Sequence, residues 1–123
     1  MQSADQPIRL ANLTVSDQTP HLEHYRAQGY EVDPVPAGIT VPVGLPPREV
    51  WQLARDLVTQ IAEHGYAGAI IGGRPDAVCY LRDCLAAAAL RCFVADTARV
   101  LDREGYFVAM PVGLVEVLAL PAE

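Results

Sequence analysis

The chain has 123 residues, 51% of them hydrophobic, and a formal charge of -6, which is enough to bury one core and leaves no room for a second domain. That acidity argues against a surface built to grip long nucleic acid, which needs a basic footprint, but leaves a small anion in a pocket open. All nine basic side chains are arginine, which excludes a lysine-bearing phosphate loop and Schiff-base chemistry.

Residues 1–6 are polar and read as a flexible lead into one domain over 1–123. No apolar run approaches a membrane span and no signal-peptide pattern is present, so the expectation is a cytoplasmic protein without membrane contact. Ile8 to Val15 alternates as a first strand. Ser16 to Pro20 follows as a loop ending in a capping residue and a proline, and a helix is predicted from Pro20 to about Gln28, stopped by Gly29. Tyr30 to Pro36 reads as a short second strand. The stretch Asp33 to Pro47 holds five of the ten prolines, and therefore predicts an irregular connection that is either a lid over a pocket or part of a subunit contact.

Pro47 to about His64 carries Val50, Leu53, Ala54, Leu57, Val58, Ile61 and Ala62 at the spacing of a buried helical face. Trp51 lies at the margin of that stripe, where packing at a rim or a dimer contact is favoured over stacking on a base. A strand over 67–72 and a helix from about Asp76 to Leu90 come next, then a strand from Arg91 to Asp96. Gly105 to Met110 and Gly113 to Leu118 read as two closing strands, antiparallel near the sheet edge. The order predicts an α/β, single-domain, Rossmann-like fold in three layers, with a mainly parallel sheet and antiparallel closing strands.

Ligands of such sheets sit outside the carboxyl ends of the strands. Three polar clusters fall there: Asn12 to Asp17, Gly72 to Asp76, and Asp96 to Arg99. At the second, Gly72 and Gly73 let backbone approach a ligand, Pro75 and Asp76 open a helix, and Arg74 can fork onto a phosphate held by free N–H groups. The same turn is equally readable as a structural bend. Cys79, Cys84 and Cys92 form no CxxC pair and read as small core residues. His21, His24 and His64 lack further ligands at useful spacing, so neither a metal nor a cofactor is called for. Asp17 and Asp76 would repel phosphate and are expected to cap.

With Asn12-Leu13-Thr14 closing the first strand, the Gly72-Gly73 turn, and Ala95-Asp96-Thr97-Ala98-Arg99 closing a later one, the chain resembles the small CARF-like proteins associated with type III CRISPR systems, in particular stand-alone ring nucleases. The resemblance runs from about Ile8 to Leu118. It implies a homodimer whose two-fold axis passes through a pocket for cyclic oligoadenylate, with cyclic tetra-adenylate as the expected ring. It also implies a metal-independent cleavage in which a ribose 2′-hydroxyl attacks its adjacent phosphorus, switching off the antiviral signal. Several such proteins carry a histidine soon after the first-strand threonine, where this chain has Val15-Ser16-Asp17.

On that reading Ser16, His21 and Arg74 are the candidate catalytic residues. Asn12, Thr14, Gly72, Gly73, Arg74, Asp96, Thr97 and Arg99 would contact the ligand, with Arg74 and Arg99 supplying charge stabilisation. For His21 a solvated helix residue is the favoured reading, and Thr14 and Ser16 read as well as loop and cap residues. Two rival readings stay open: a non-catalytic sensor or sponge for the same ligand, and a small assembly protein with no ligand.

Overall fold

The computed structural model describes residues 6–33 and 44–118, and only the backbone of 97–99 and 109–112. In chain order these form β1 (Ile8–Leu13), a single 3-10 turn (Thr19–His21), α1 (Leu22–Ala27), β2 (Tyr30–Val32), α2 (Pro47–Glu63), β3 (Gly68–Ile71), α3 (Pro75–Ala87), β4 (Arg91–Leu101) and β5 (Phe107–Val117). One sheet holds all five strands in the order β2-β1-β3-β4-β5. The first four run parallel, and β5 is antiparallel to β4. The architecture is α/β with a mostly parallel sheet, compatible with a Rossmann-like fold.

Successive strand residues face opposite ways, and the two faces bury different sets. Ala11, Leu13, Ala69, Ile71 and Cys92 pack with Ala54, Val58 and Ile61 of α2 and Leu81 and Leu85 of α3. Leu10, Ile70, Phe93 and Leu114 pack on the other face with Tyr25 of α1 and Val32. Parallel strands buried on both faces need near-continuous apolar runs, which is what Leu10-Ala11 and Ala69-Ile70-Ile71 supply.

The helix boundaries follow local chemistry. Pro47 and Pro75 stand in the first helical turns of α2 and α3, where a missing N–H costs nothing. α2 runs into His64 and ends at Gly65, whose φ of 77° is left-handed. α3 stops at Ala87, three residues short of the Leu90 expected, because Ala89 adopts φ 57° and Leu90 N–H turns back to the carbonyl of Leu85. An alanine in that conformation has no signature in sequence.

Several expected boundaries shift. β1 ends at Leu13, since Thr14 to Ser16 are drawn into hydrogen bonds with the Asn12 side chain. The expected helix from Pro20 begins as a 3-10 turn and becomes α-helical only at Leu22. β2 occupies the start of the predicted second strand, and residues 34–43 of the proline-rich connection lie outside those described.

The two closing strands are one. β4 does not stop at Asp96 but continues to Leu101, and β5 pairs with it throughout from Phe107 to Val117. The pairing jumps from Asp96↔Gly113 to Thr97↔Pro111, so Val112 is an extra residue in a β-bulge. The bulge absorbs a proline and a glycine that in sequence read as a break. Beyond the last β3 pair, Ile70↔Phe93, the two strands run on as a ribbon whose Leu101, Tyr106 and Phe107 are well exposed.

Of the cysteines, Cys92 is buried, its thiol pushed up to about 11 by that burial, and Cys84 is half-buried. Cys79 is exposed, contrary to its expected core position, because it falls on the outer side of α3 while Val78 and Leu81 face inward.

Candidate functional site

The sheet order places β1 between β2 and β3, so the chain leaves β1 to one side and returns on the other. That reversal falls at the carboxyl ends of β1 and β3, the ordinary ligand position of such sheets. Register sets Leu13 beside Ile71, and the next residues of the two strands are Thr14 and Gly72. They are in contact: a Cβ on Gly72 would lie 3.3 Å from Thr14 Cγ2. Two of the three polar clusters thus meet at one sheet edge.

The β1 loop is tied down from within. Asn12 is 1% exposed; its Oδ1 accepts the Thr14 N–H at 3.0 Å and the Thr14 hydroxyl at 2.6 Å. Its Nδ2 donates to the Ser16 carbonyl at 2.9 Å. Thr14 Oγ1 in turn accepts the Ser16 N–H at 3.2 Å and Gln18 Nε2 at 3.3 Å. Tyr25, fully buried on α1, donates its hydroxyl to Gln18 Oε1 at 2.7 Å. Burial pushes the Tyr25 phenol above its ordinary range, which keeps it a donor. A hydroxyl has one proton and two lone pairs, so Thr14 has little left to offer a ligand, and Asn12 is engaged in shaping the loop.

Outside this network Val15, Ser16 and Asp17 are exposed. No partner for the Ser16 hydroxyl is found among the described residues. Asp17 accepts the Thr19 N–H at 2.9 Å and the Thr19 hydroxyl at 2.6 Å, and these donors hold its carboxyl below the usual carboxylate range; it bends the chain ahead of the 3-10 turn rather than capping it as expected, since the N-cap is Gln18.

At the glycine turn Gly73 has φ 116°, a conformation costly to any residue with a Cβ. Arg74 is the N-cap of α3. Its Nε lies 2.9 Å from Asp76 Oδ1, which also accepts the Ala77 N–H at 2.9 Å. The helix N-terminus therefore already holds a carboxylate, and the guanidinium beside it is already partnered. Val78 N–H makes the first helical bond, to the Arg74 carbonyl at 3.0 Å.

His21 closes the 3-10 turn, half-buried, with its ring centroid 6.2 Å from that of Tyr25. Its Nδ1 is buried and has no hydrogen-bond partner among the described residues. His24 is exposed on α1. The third cluster begins at the same edge: Phe93 pairs with Ile70, so Asp96 stands two residues beyond the level of Ile71 and is exposed. Thr97 and Arg99 continue along the ribbon away from that edge, with side chains outside those described. Sequence reasoning missed Gln18 and Tyr25, because nothing in a residue seven positions away announces a hydrogen bond.

A hollow of about 810 Å³ lies elsewhere, between α2 and α3, and is lined by Trp51, Arg55, Val58, Thr59 and Cys84 among others. Arg55 lies over the Trp51 ring at 5.4 Å. That groove is a seam between two helices whose lining also carries Glu63 and Asp83, and it lies away from the sheet edge where the polar clusters of β1 and β3 meet. No group of three or more metal-ligating side chains occurs among the described residues, and none of their helices is long and apolar enough to cross a membrane. Comparison with protein-family models gives no match, and comparison with curated proteins gives none either.

Proposed function

We propose that the β1/β3 edge binds a cyclic oligoadenylate and that the chain is a ring nuclease acting on it. One observation carries the reading. The sheet reverses at β1/β3, and there the loop bearing the exposed Ser16 meets the glycine turn that opens α3 beside Arg74.

In the proposed reaction the 2′-oxygen of one ribose forms a bond to its adjacent phosphorus while the bond to the 5′-oxygen breaks. The 2′-hydroxyl loses its proton to a base, and the leaving 5′-oxygen takes one up. The products are linear fragments ending in a 2′,3′-cyclic phosphate, and no water is consumed. Ser16 orients the 2′-hydroxyl, and His21 is the residue for proton transfer. The backbone of Gly72 and Gly73 and the guanidinium of Arg74 meet the phosphoryl oxygens as charge builds. Arg74 must first release Asp76. Asp96 contacts the ligand from β4, while Thr97 and Arg99 lie further along the ribbon. A second copy completes the site, each subunit presenting the same contacts to half the ring.

A specific observation favours a second reading, a sensor that binds without turnover. The Thr14 hydroxyl is committed to the loop and Arg74 is paired with Asp76, which leaves fewer groups free for transition-state charge. Incubation with cyclic tetra-adenylate in chelator, followed by chromatography, separates the two, with light scattering to read the dimer. Linear fragments with a cyclic phosphate end support the nuclease, and tight binding without products supports the sensor. Neither binding nor products refutes both.

A further inference from the structure

We infer that Tyr25 and Gln18 are positioning residues of the β1/β3 site, holding Ser16 through Thr14 in the arrangement that presents its hydroxyl. The inference rests on the reading of that edge as a ligand site and adds two residues that contact no ligand.

Tyr25 is more than core. Its ring packs with Leu10, Val32, Phe93 and Leu114, and a phenylalanine would serve that purpose equally. The hydroxyl needs a separate reason, because a buried O–H without an acceptor is costly. Its acceptor is Gln18 Oε1 at 2.7 Å, and Gln18 is itself 5% exposed.

The contact fixes which way the Gln18 amide faces. With Oε1 toward Tyr25, Nε2 points at Thr14 Oγ1 at 3.3 Å and lies 3.5 Å from the Ser16 carbonyl. The flipped amide would leave the Tyr25 proton without an acceptor and set Oε1 against the Ser16 carbonyl, oxygen to oxygen. Donation from Gln18 occupies one Thr14 lone pair, and the single Thr14 proton goes to Asn12 Oδ1 at 2.6 Å in preference to the Ser16 carbonyl at 3.1 Å. Thr14 Oγ1 then has a lone pair for the Ser16 N–H at 3.2 Å, while Asn12 Nδ2 holds the Ser16 carbonyl at 2.9 Å. Both backbone groups of Ser16 are thereby clamped. The same threonine lies toward Gly72 through its methyl, so one hydrogen-bonded chain links α1 to the β1 loop, and a packing contact at its end reaches the glycine turn. The members of such a chain strengthen one another, so losing one weakens the next.

Tyr25→Phe keeps the ring and removes the clamp; Gln18→Glu keeps the shape and removes the donor. In full-length protein with cyclic tetra-adenylate, Tyr25→Phe should lower turnover at saturation by at least about ten-fold with KM changed less than about two-fold. Adding Tyr25→Phe to Ser16→Ala should cost nothing further, because both act through one hydroxyl. Gln18→Glu should regain activity relative to wild type as pH falls, since the protonated carboxyl donates again. Multiplying losses, or a Gln18→Glu profile parallel to wild type at every pH, overturns the inference.

If the wild type neither binds nor cleaves this ligand, the functional reading fails and amide exchange decides the positioning. Exchange at the Ser16 N–H should accelerate at least about ten-fold in Tyr25→Phe while the β3 amides stay unchanged. An unchanged Ser16 rate overturns it.

Discussion

Replacing Asp76 with asparagine should push stability and anion affinity in opposite directions. The carboxylate serves two donors, the Ala77 N–H and the Arg74 guanidinium, each at 2.9 Å. Asparagine keeps an oxygen for the N–H and loses the charge. A charge in the first turn of a helix is worth about 0.3–1 kcal/mol. The ion pair has side chains 46% and 31% exposed, so it takes the surface value of about 0.2–1 kcal/mol. The variant should therefore lose about 0.5–2 kcal/mol of folding stability. A phosphate arriving at Gly72 and Gly73 no longer meets a competing anion, and Arg74 is free. Water-screened Coulomb energies of about 1 kcal/mol per contact, with release of the pair, give a gain of about 1–2 kcal/mol. That is roughly a 5- to 30-fold tighter complex. Urea denaturation measures the first quantity, and calorimetric titration with cyclic tetra-adenylate at low salt measures the second. The affinity gain should shrink as salt rises. Weaker binding alongside lower stability would refute the competition, meaning that Asp76 shapes the turn that binds.

Two further outcomes test the sheet. Arg91 grips Glu116 with bonds of 3.0 and 2.7 Å and holds its carboxyl below the ordinary range. Free glutamate titrates near about pH 4.3, so this stabilisation is complete above that value and is lost as pH falls through the lower folded one; Glu116→Gln should flatten that acid limb of Tm, and superimposable curves would contradict it. A Cβ on Gly113, which has φ 148°, would lie 2.6 Å from Gln28 Oε1, whose amide accepts the Leu114 N–H at 2.8 Å and donates to its carbonyl at 3.2 Å. Gly113→Ala should cost about 1–3 kcal/mol by urea melt, and Gln28→Ala on top of it little more; fully additive losses would show that Gln28 is not what the glycine admits.

Much of the fold is legible in one dimension because it depends on periodicity and on punctuation. Val50, Ala54, Val58 and Ile61 mark the buried face of α2, Pro47 and Pro75 mark helix starts, and Gly29 and Gly65 mark stops. The alternation of strand and helix predicts a parallel sheet, and a parallel sheet brings the ends of β1 and β3 to one edge. The meeting of Asn12 to Asp17 with Gly72 to Asp76 was therefore foreseeable without coordinates.

What the tertiary structure decided are the contacts whose partners are set by packing. The bulge at Val112 turns Pro111 and Gly113 from a break into one continuous strand, because β4 runs alongside to pair with both sides of it. Asn12 and Thr14 were read as ligand contacts from residue type, which records what a side chain can bond to and not what it already bonds to. Only the placement of α1 under the sheet brings Tyr25 to Gln18 and commits Thr14 to its own loop. Arg74 and Asp76 are two positions apart in sequence, yet whether they clasp each other or face outward depends on the left-handed turn at Gly73 and the start of α3. Sequence thus determines which groups reach the site's edge, while hydrogen-bond saturation, a property of three-dimensional neighbours, determines which of them remain free to act.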